Sequence, residues 1–436
     1  MLNTITIRGG KPLDGEVAVR GAKNSVSKCM VAALLTDEEC VLHNVAEIED
    51  VGVVSGMIET LGGRVINDDS GTVRINCANL RPADYDKLDE FSGRSRIPVL
   101  FCGPVLARFG KFEMPGLGGC KIGPRPINYH LNALRKMGAS VVKSKCSIKL
   151  SAKRLKGAVI ELPYPSVGAT EQVLLSAVLA DGVTVLRGAA IEPEIMDLVS
   201  VLQKMGGIIS VDAGRTISVT GVKKLRGYEH AVMPDRLESA SWAAAAIATG
   251  GDIFVRNARQ QDLIEFLNKY REIGGEFKVG EDGIRFFRAR GVIKPINIET
   301  AVHPGFMTDW QQTFVVVLTQ ADGVSIVHET VYENRFGYVE ALNKMGAKIE
   351  LSSECLVGGN TCRFGGGGHL HSATIHGPTK LHGSEITVPD LRGGFSYIVA
   401  ALCADGISKI SNIGVIYRGY EKFVEKLRAL GADLVE

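Results

Sequence analysis

The sequence predicts an α/β fold in two domains, built from six copies of a strand, helix, strand, helix, strand unit, three copies per domain. Three observations carry that expectation. Related stretches recur at spacings of roughly 70 to 85 residues, as internal duplication would leave them. Each copy holds a helical apolar pattern closed by a glycine. Alanine-rich segments that are apolar almost all round supply a second, buried type of helix.

The clearest copies are "LADGVTVLRGAAIEPEIMDLVSVLQKMGGIISV" (179–211), "QADGVSIVHETVYENRFGYVEALNKMGAKIEL" (320–351) and "CADGISKISNIGVIYRGYEKFVEKLRALGADLV" (403–435). Residues 35–66, 106–142 and 247–279 are degenerate versions. A copy opens on a turn and a short β-branched strand such as "VTVLRG", then passes through a loop into a helix. That helix carries apolar residues at i, i+3, i+4 and i+7, as in Leu198, Val201, Leu202 and Met205, or Val54, Met57, Ile58 and Leu61. Gly62, Gly138, Gly206, Gly274, Gly346 and Gly431 follow the last apolar residue, where a left-handed cap favours a residue without Cβ. "SVGATEQVLLSAVLADG" and "SASWAAAAIATGG" read as the buried helices, packed inside a ring of sheets. Polar interruptions at "GAKNS" (21–25) and "MPDRLE" (233–238) mark the seams, giving one domain of 1–21 plus 234–436 and another of 22–233.

At 436 residues the chain exceeds one ordinary core, and 45% hydrophobic with 22% charged residues is a globular balance. A net charge of +2 gives no bulk electrostatic reason for a nucleic-acid or membrane partner, so any anion site is local. The start "MLNTITIRGG" lacks the features of a secretory signal, and no long uninterrupted apolar stretch occurs, which leads to the expectation of a cytoplasmic protein. The oligomeric state is not written in the sequence. Nine cysteines without a C-x-x-C pair suggest neither a disulfide framework nor structural zinc; Cys29, Cys102 and Cys403 read as small buried residues.

Cys120 is the exception. It lies in "MPGLGGCKIGPRPINYH" among glycines, with Lys121 and Arg125 nearby and Pro126 placed to open a helix running to Met137. Cations and a positive helix end lower a thiol pKa, favouring an accessible thiolate. Lys23 and Asn24 stand at a seam, where ligand clefts form. Arg96, Arg335, Arg392 and Arg418 lie in glycine-rich or aromatic turns, and converging guanidinium groups would bind a polyanion. Asp309 in "HPGFMTDWQQ" is either a helix N-cap or a general base for a hydroxyl. No nucleotide-binding glycine loop, HExxH or GxSxG is present in a suitable context. "GGGGH" (365–369) reads as part of a surface insertion spanning 355–372. Cys362 is the only thiol noted near His369 and His371, so no metal site is expected.

In order along the chain, "GAKNS", "GGC.IG.RP", "PSVGAT", "PDR.E", "HPGF.TD", "ENRF", "PDLR" and "RGYE" resemble the bacterial enolpyruvyl transferases that act on UDP-N-acetylglucosamine. The resemblance spans the whole chain. It implies an inside-out α/β barrel in each domain and transfer of enolpyruvyl from phosphoenolpyruvate to the 3-hydroxyl of UDP-N-acetylglucosamine, the first committed step of peptidoglycan precursor synthesis. It also implies that Cys120 protonates the methylene carbon and is the thiol alkylated by fosfomycin, and that Asp309 meets the attacking hydroxyl. Lys23 and Asn24 would meet both substrates; Arg125 and Arg418 would surround the transferred group. Arg96, Arg125, Pro126, Ile127, Asn128 and Tyr129, Tyr164, Pro165, Ser166 and Val167, and Val331 fall at sugar-nucleotide positions, with Arg335, Asp390 and Arg392 completing the cleft. Neither addition nor elimination requires a metal or an organic cofactor. Asn128, Leu100 and the pair Tyr164 and Pro165 depart from the pattern, which makes transfer to another nucleotide such as UMP the alternative. A silent, regulatory relative is the third reading, opposed by intact Lys23, Cys120, Asp309 and Arg418.

Overall fold

The computed structural model describes residues 3–435 apart from 69, 83–84, 119–122, 124, 145–146, 290, 357–361 and 365–366. The expectations placed on Cys120 and Lys121 therefore lie outside the described residues. The chain divides into two compact units, Met1–Val19 with Pro234–Glu436, and Arg20–Gly119 with Arg125–Met233.

Among the described residues each unit holds three sheets, and five of the six obey one rule. A short edge strand runs parallel to its neighbour, and two further strands follow antiparallel. In the first unit the orders are Glu385–Thr387, Ile407–Ser411, Thr4–Arg8, Asp433–Val435; Asp14–Ala18, Asp252–Arg256, Gly283–Arg288, Gly275–Val279; and Asn297–Glu299, Gly323–His328, Ser372–Gly377, Ile349–Ser352. The second unit repeats this around Cys40–His43 and Val183–Arg187. Its remaining sheet, Lys111–Met114, Ile148–Ser151, Ser140–Lys143, has no parallel edge strand among the described residues. One face of these strands is buried and the other open, as in Val183–Arg187, where Thr184 and Leu186 face inward.

Helices of two kinds cover the sheets. Arg236–Thr249, Gln311–Leu318 and Leu391–Cys403 pack on one another, and nearly every residue in them is buried. Alanine in the first lets neighbouring backbones approach while adding no polar atom. In the second unit Lys23–Ala32, Cys102–Phe109 and Val167–Ala177 are the inner helices. There Gly103 sits so close to the helix Val167–Ala177 that a Cβ would lie 2.2 Å from Ser176 Oγ. The outer helices are amphipathic: Glu49–Thr60, Asn128–Lys136, Pro193–Lys204, Ile264–Glu272, Val339–Lys344 and Phe423–Ala429. All six glycines expected to end them have φ between 81° and 102°. One boundary differs from expectation: Asn128 starts its helix with Ile127 at the N-cap, leaving Pro126 outside. No helix among the described residues is long and apolar enough to cross a membrane.

Aromatic packing centres the first unit's core. Phe395 stacks on Tyr420 at 4.2 Å between centroids and meets Trp242 edge-on at 5.2 Å, and Tyr420 Oη shares a 2.8 Å hydrogen bond with Ser241. All three rings are fully buried. Phe395→Ala is expected to destabilise the protein by about 3 to 5 kcal/mol, the usual cost of truncating a buried ring. Urea unfolding followed by tryptophan fluorescence checks this, and a loss under about 1 kcal/mol would mean the ring is not central to the core.

Candidate functional site

The first unit gathers Asp309, Arg335, Asp390 and Arg392. Asp309 does not cap the following helix: Trp310 occupies the N-cap of Gln311–Leu318, with no side-chain bond. Its carboxylate instead contacts Arg335 Nη2 through Oδ1 and lies 3.6 Å from Arg392 Nε through Oδ2. The two guanidinium groups are 2% and 5% exposed while Asp309 is 22% exposed, so the carboxylate is the accessible edge of a buried charge cluster. Burial works against the Arg335 charge, but Asp309, Asp390 and Glu329 outweigh it and hold the group above its ordinary pKa. Arg392 is likewise buried yet raised, by Tyr420, Asp309 and Asp235. Both stay cationic at any working pH.

Asp390 is a cap: its Oδ1 accepts from the N–H groups of Arg392 at 3.0 Å and Gly393 at 3.1 Å, fixing where Arg392 leaves the helix Leu391–Cys403. Arg418 ends the 3-10 turn Ile413–Arg418, half-buried against that same helix. Glu329 was not singled out in the sequence, yet it organises the floor. Its carboxylate accepts from Thr308 Oγ1 and Gln311 Nε2, both at 2.9 Å, and from the backbone N–H groups of Val331 at 2.7 Å and Tyr332 at 3.0 Å. One buried side chain thereby sets the turn bearing Val331 and the residue before Asp309. Arg236, whose guanidinium lies 5.6 Å from the Trp310 ring centre, belongs in the sequence only to the seam "MPDRLE". Neither carries a local signal, since Glu329 stands between His328 and Thr330 and Arg236 between Asp235 and Leu237.

The second unit gathers the remaining positions. Lys23 and Asn24 begin the helix Lys23–Ala32, where a cation opposes the helix dipole. Asp50 at 2.5 Å from Lys23 Nζ compensates it, with side-chain exposures of 15% and 2%. The same helix start is braced by Ser25, which donates to Asp197 Oδ2 at 2.5 Å, and Asp197 Oδ1 meets His230 Nε2 at 2.9 Å. The carboxylate, not the imidazole, contacts the hydroxyl, so this trio is a brace and no nucleophilic relay.

Arg96 donates to the Arg125 carbonyl at 2.6 Å. Arg125 has φ of 44° directly before Pro126, a conformation disfavoured twice over, which the Arg96 contact holds in place. Next to them, burial and then Arg96 push His130 down to about 4, so its imidazole is neutral; Gly168 leaves room for the ring, since a Cβ there would lie 2.9 Å from His130 Cε1. Asn128 is exposed at the helix start, with Ile127 and Tyr129 partly buried. Ser166 caps the helix beginning at Val167, accepting from the Ala169 N–H at 3.4 Å, and Tyr164 and Pro165 precede it, half-buried. Leu100 is fully buried in the core. The segment ahead of Cys120 is stitched to the chain: the Gly93 N–H donates to the Gly116 carbonyl at 3.2 Å and the Gly118 N–H to Ser95 at 3.0 Å.

Two groups of described residues place three or more metal-ligating atoms within 4.8 Å of one another: Cys29, Asp197 and His230, which belong to the brace, and His328, Cys355, Cys362 and His371.

A family profile described as EPSP synthase (3-phosphoshikimate 1-carboxyvinyltransferase) matches residues 7–427. A protein of Protochlamydia amoebophila (strain UWE25) named UDP-N-acetylglucosamine 1-carboxyvinyltransferase is 47% identical over 99% of this chain and 94% of its own. One of the same name from Chlamydia pneumoniae is 45% identical over 97% and 92%. Among solved structures, the enolpyruvyl transferase NikO from Streptomyces tendae superposes with a TM-score of 0.86 at 21% identity, covering 99% of this chain and 98% of its own, a likeness of fold.

The second unit also buries an acid. Burial raises Glu171 to about 7 even though Lys28 lies 3.8 Å away, and Glu194 and Glu192 push the same way as burial. Its folded pKa exceeds the unfolded value, so between about pH 4.5 and 7 the native state binds the extra proton and stability falls as pH rises. Glu171→Gln is expected to remove a slope approaching about 1 kcal/mol per pH unit in that window. Urea midpoints of both proteins at pH 5 and 8 check this; parallel pH profiles would contradict it, His130 contributing equally to each.

Proposed function

The chain belongs to the EPSP synthase family of enolpyruvyl transferases, and on that premise we propose that it transfers the enolpyruvyl group of phosphoenolpyruvate to the 3-hydroxyl of UDP-N-acetylglucosamine, releasing phosphate. This is the first committed step of peptidoglycan precursor synthesis, and two polyanionic substrates that do not cross a membrane unaided support a cytoplasmic setting. The observation that carries the reading is near-full-length identity of 44% to 47% with proteins named for that reaction. Those names give no support to a UMP acceptor.

Asp309 takes the proton of the 3-hydroxyl as its oxygen attacks C2 of phosphoenolpyruvate, and Cys120 delivers a proton to C3. Loss of a proton from C3 then restores the double bond as the C2–O bond to phosphate breaks, the electron pair leaving with phosphate. Arg335 and Arg392 explain how one carboxylate serves as a base. An arriving phosphate or carboxylate competes for the same guanidinium groups, and each contact drawn away from Asp309 raises its proton affinity. Lys23, Arg125 and Arg418 offset the remaining negative charge, while Asn24, Arg96, Pro126, Ile127, Asn128, Tyr129, Tyr164, Pro165, Ser166, Val167 and Val331 hold the sugar nucleotide.

Phosphate release is expected with UDP-N-acetylglucosamine and not with UMP or shikimate 3-phosphate; release with either of the latter alone would overturn the acceptor. Asp309→Asn is expected to lower kcat by about 10²- to 10⁴-fold with sugar-nucleotide affinity little changed, and a loss confined to binding would argue against a base. Cys120→Ser is expected to abolish turnover and alkylation by an epoxide phosphonate. Full labelling of that variant in a mass spectrum would place the reactive thiol elsewhere.

A further inference from the structure

Away from Asp309, one sheet of the first unit brings four metal-ligating side chains together. His328 closes the strand Gly323–His328, paired in register with Glu299 on one side and Ser372 on the other. His371 directly precedes the strand Ser372–Gly377, and its N–H donates to the Ser352 carbonyl at 3.0 Å. Cys355 follows the strand Ile349–Ser352 by three residues, held by the Ser372 hydroxyl, which donates to the Glu354 carbonyl at 2.6 Å. Cys362 completes the set from the connection between the two strands. The four ligand atoms all lie within 4.8 Å of one another. Neighbours in the sequence place only Cys362 close to His369 and His371, which by itself gives no reason to expect a metal. The fold supplies Cys355 and His328 and turns His369 away from the centre, so that it contributes its carbonyl.

We propose that His328, Cys355, Cys362 and His371 form a closed tetrahedral site for a structural zinc ion. His328 Nε2 lies 3.3 Å from Cys362 Sγ, and His371 Nε2 lies 3.4 Å from Cys355 Sγ. Zinc with bonds of about 2.3 Å to sulfur and about 2.0 Å to nitrogen separates such ligands by about 3.5 Å, so these edges are already near the required length. The opposite ring nitrogens are held as zinc ligands usually are. His371 Nδ1 meets the His369 carbonyl at 2.7 Å, and His328 Nδ1 lies 3.6 Å from Glu299. Both leave Nε2 to face the thiols. The Phe364 N–H donates to Cys362 Sγ at 3.4 Å, and the Phe364 ring packs on His371, covering a centre whose two imidazoles are fully buried. Cys355 is exposed and gives the ion its entry. Two thiolates and two imidazoles in this shape select zinc over harder cations, and four protein ligands leave no position for a reacting water.

The ion would lock the strand end next to Glu329, the residue that ties Thr308, Gln311 and the turn at Val331. It steadies the floor under Asp309 without touching substrate, and it stands whether or not the acceptor assignment does.

The test uses the full chain, reduced, equilibrated with Zn²⁺ and freed of loose metal by gel filtration, with metal measured by plasma mass spectrometry. One zinc per chain is expected, retained in Cys120→Ser and falling below about a tenth in the double variant C355S/C362S. Cobalt substitution of the unmutated chain is expected to give tetrahedral bands with thiolate-to-cobalt charge transfer, a reading independent of whether the variant folds. Absence of bound zinc, undiminished zinc in the folded double variant, a cobalt spectrum without the charge-transfer band, or a Cys355–Cys362 disulfide in the reduced protein would each overturn the site.

Discussion

A helix with no polar face must be hidden from water on every side, and each unit is organised by that requirement. Arg236–Thr249, Gln311–Leu318 and Leu391–Cys403 are buried along almost their whole length. They pack on one another, and the sheets need only one apolar face each to enclose them. The outer helices then cover what remains with a stripe of apolar residues, and a glycine with positive φ turns the chain back into its sheet. The same solution recurs because the same sequence unit was copied.

The ends of the inner helices are where this packing meets charge. Asp309 precedes one and Asp390 caps another, while Lys23 starts a third in the second unit. Backbone N–H groups at these ends favour anions, so a carboxylate is at home there and a lysine needs Asp50 beside it. Burying Arg335 and Arg392 next to Asp309 costs desolvation, which the carboxylates around them offset. Such a cluster is held rigid before any substrate arrives.

Periodicity made the six units and their glycine caps legible, because a 3.6-residue stripe ending in glycine depends only on neighbours in the chain. Counting copies leads to the expectation of three units per domain. What periodicity could not carry was anything arising from contacts distant in sequence. Glu329 reads as an ordinary residue at a strand end until Thr308 and Gln311 are folded against it. Asp309 before an apolar helix reads equally well as a cap, and only the position of Trp310 at the N-cap removes that reading. Pro126 suggested an earlier helix start, but Arg125 in a left-handed conformation delays it to Asn128. The histidine and cysteine set was invisible for the same reason, since His328 lies 27 positions before Cys355 along the chain.

Gly118 carries a consequence for anyone redesigning the thiol-bearing segment. A methyl group at this position would fall 1.8 Å from the carbonyl oxygen of Gly93, and at Gly116 it would fall 2.4 Å from the Ser92 hydroxyl. Gly118 is chosen for thinness, not suppleness: there two backbones lie against each other with no width to spare, whereas at Gly116 only the Ser92 side chain stands in the way. Library diversity introduced at Gly118 would pry the two segments of chain apart, while at Gly116 a turn of the Ser92 side chain can make room, so variation belongs away from Gly118.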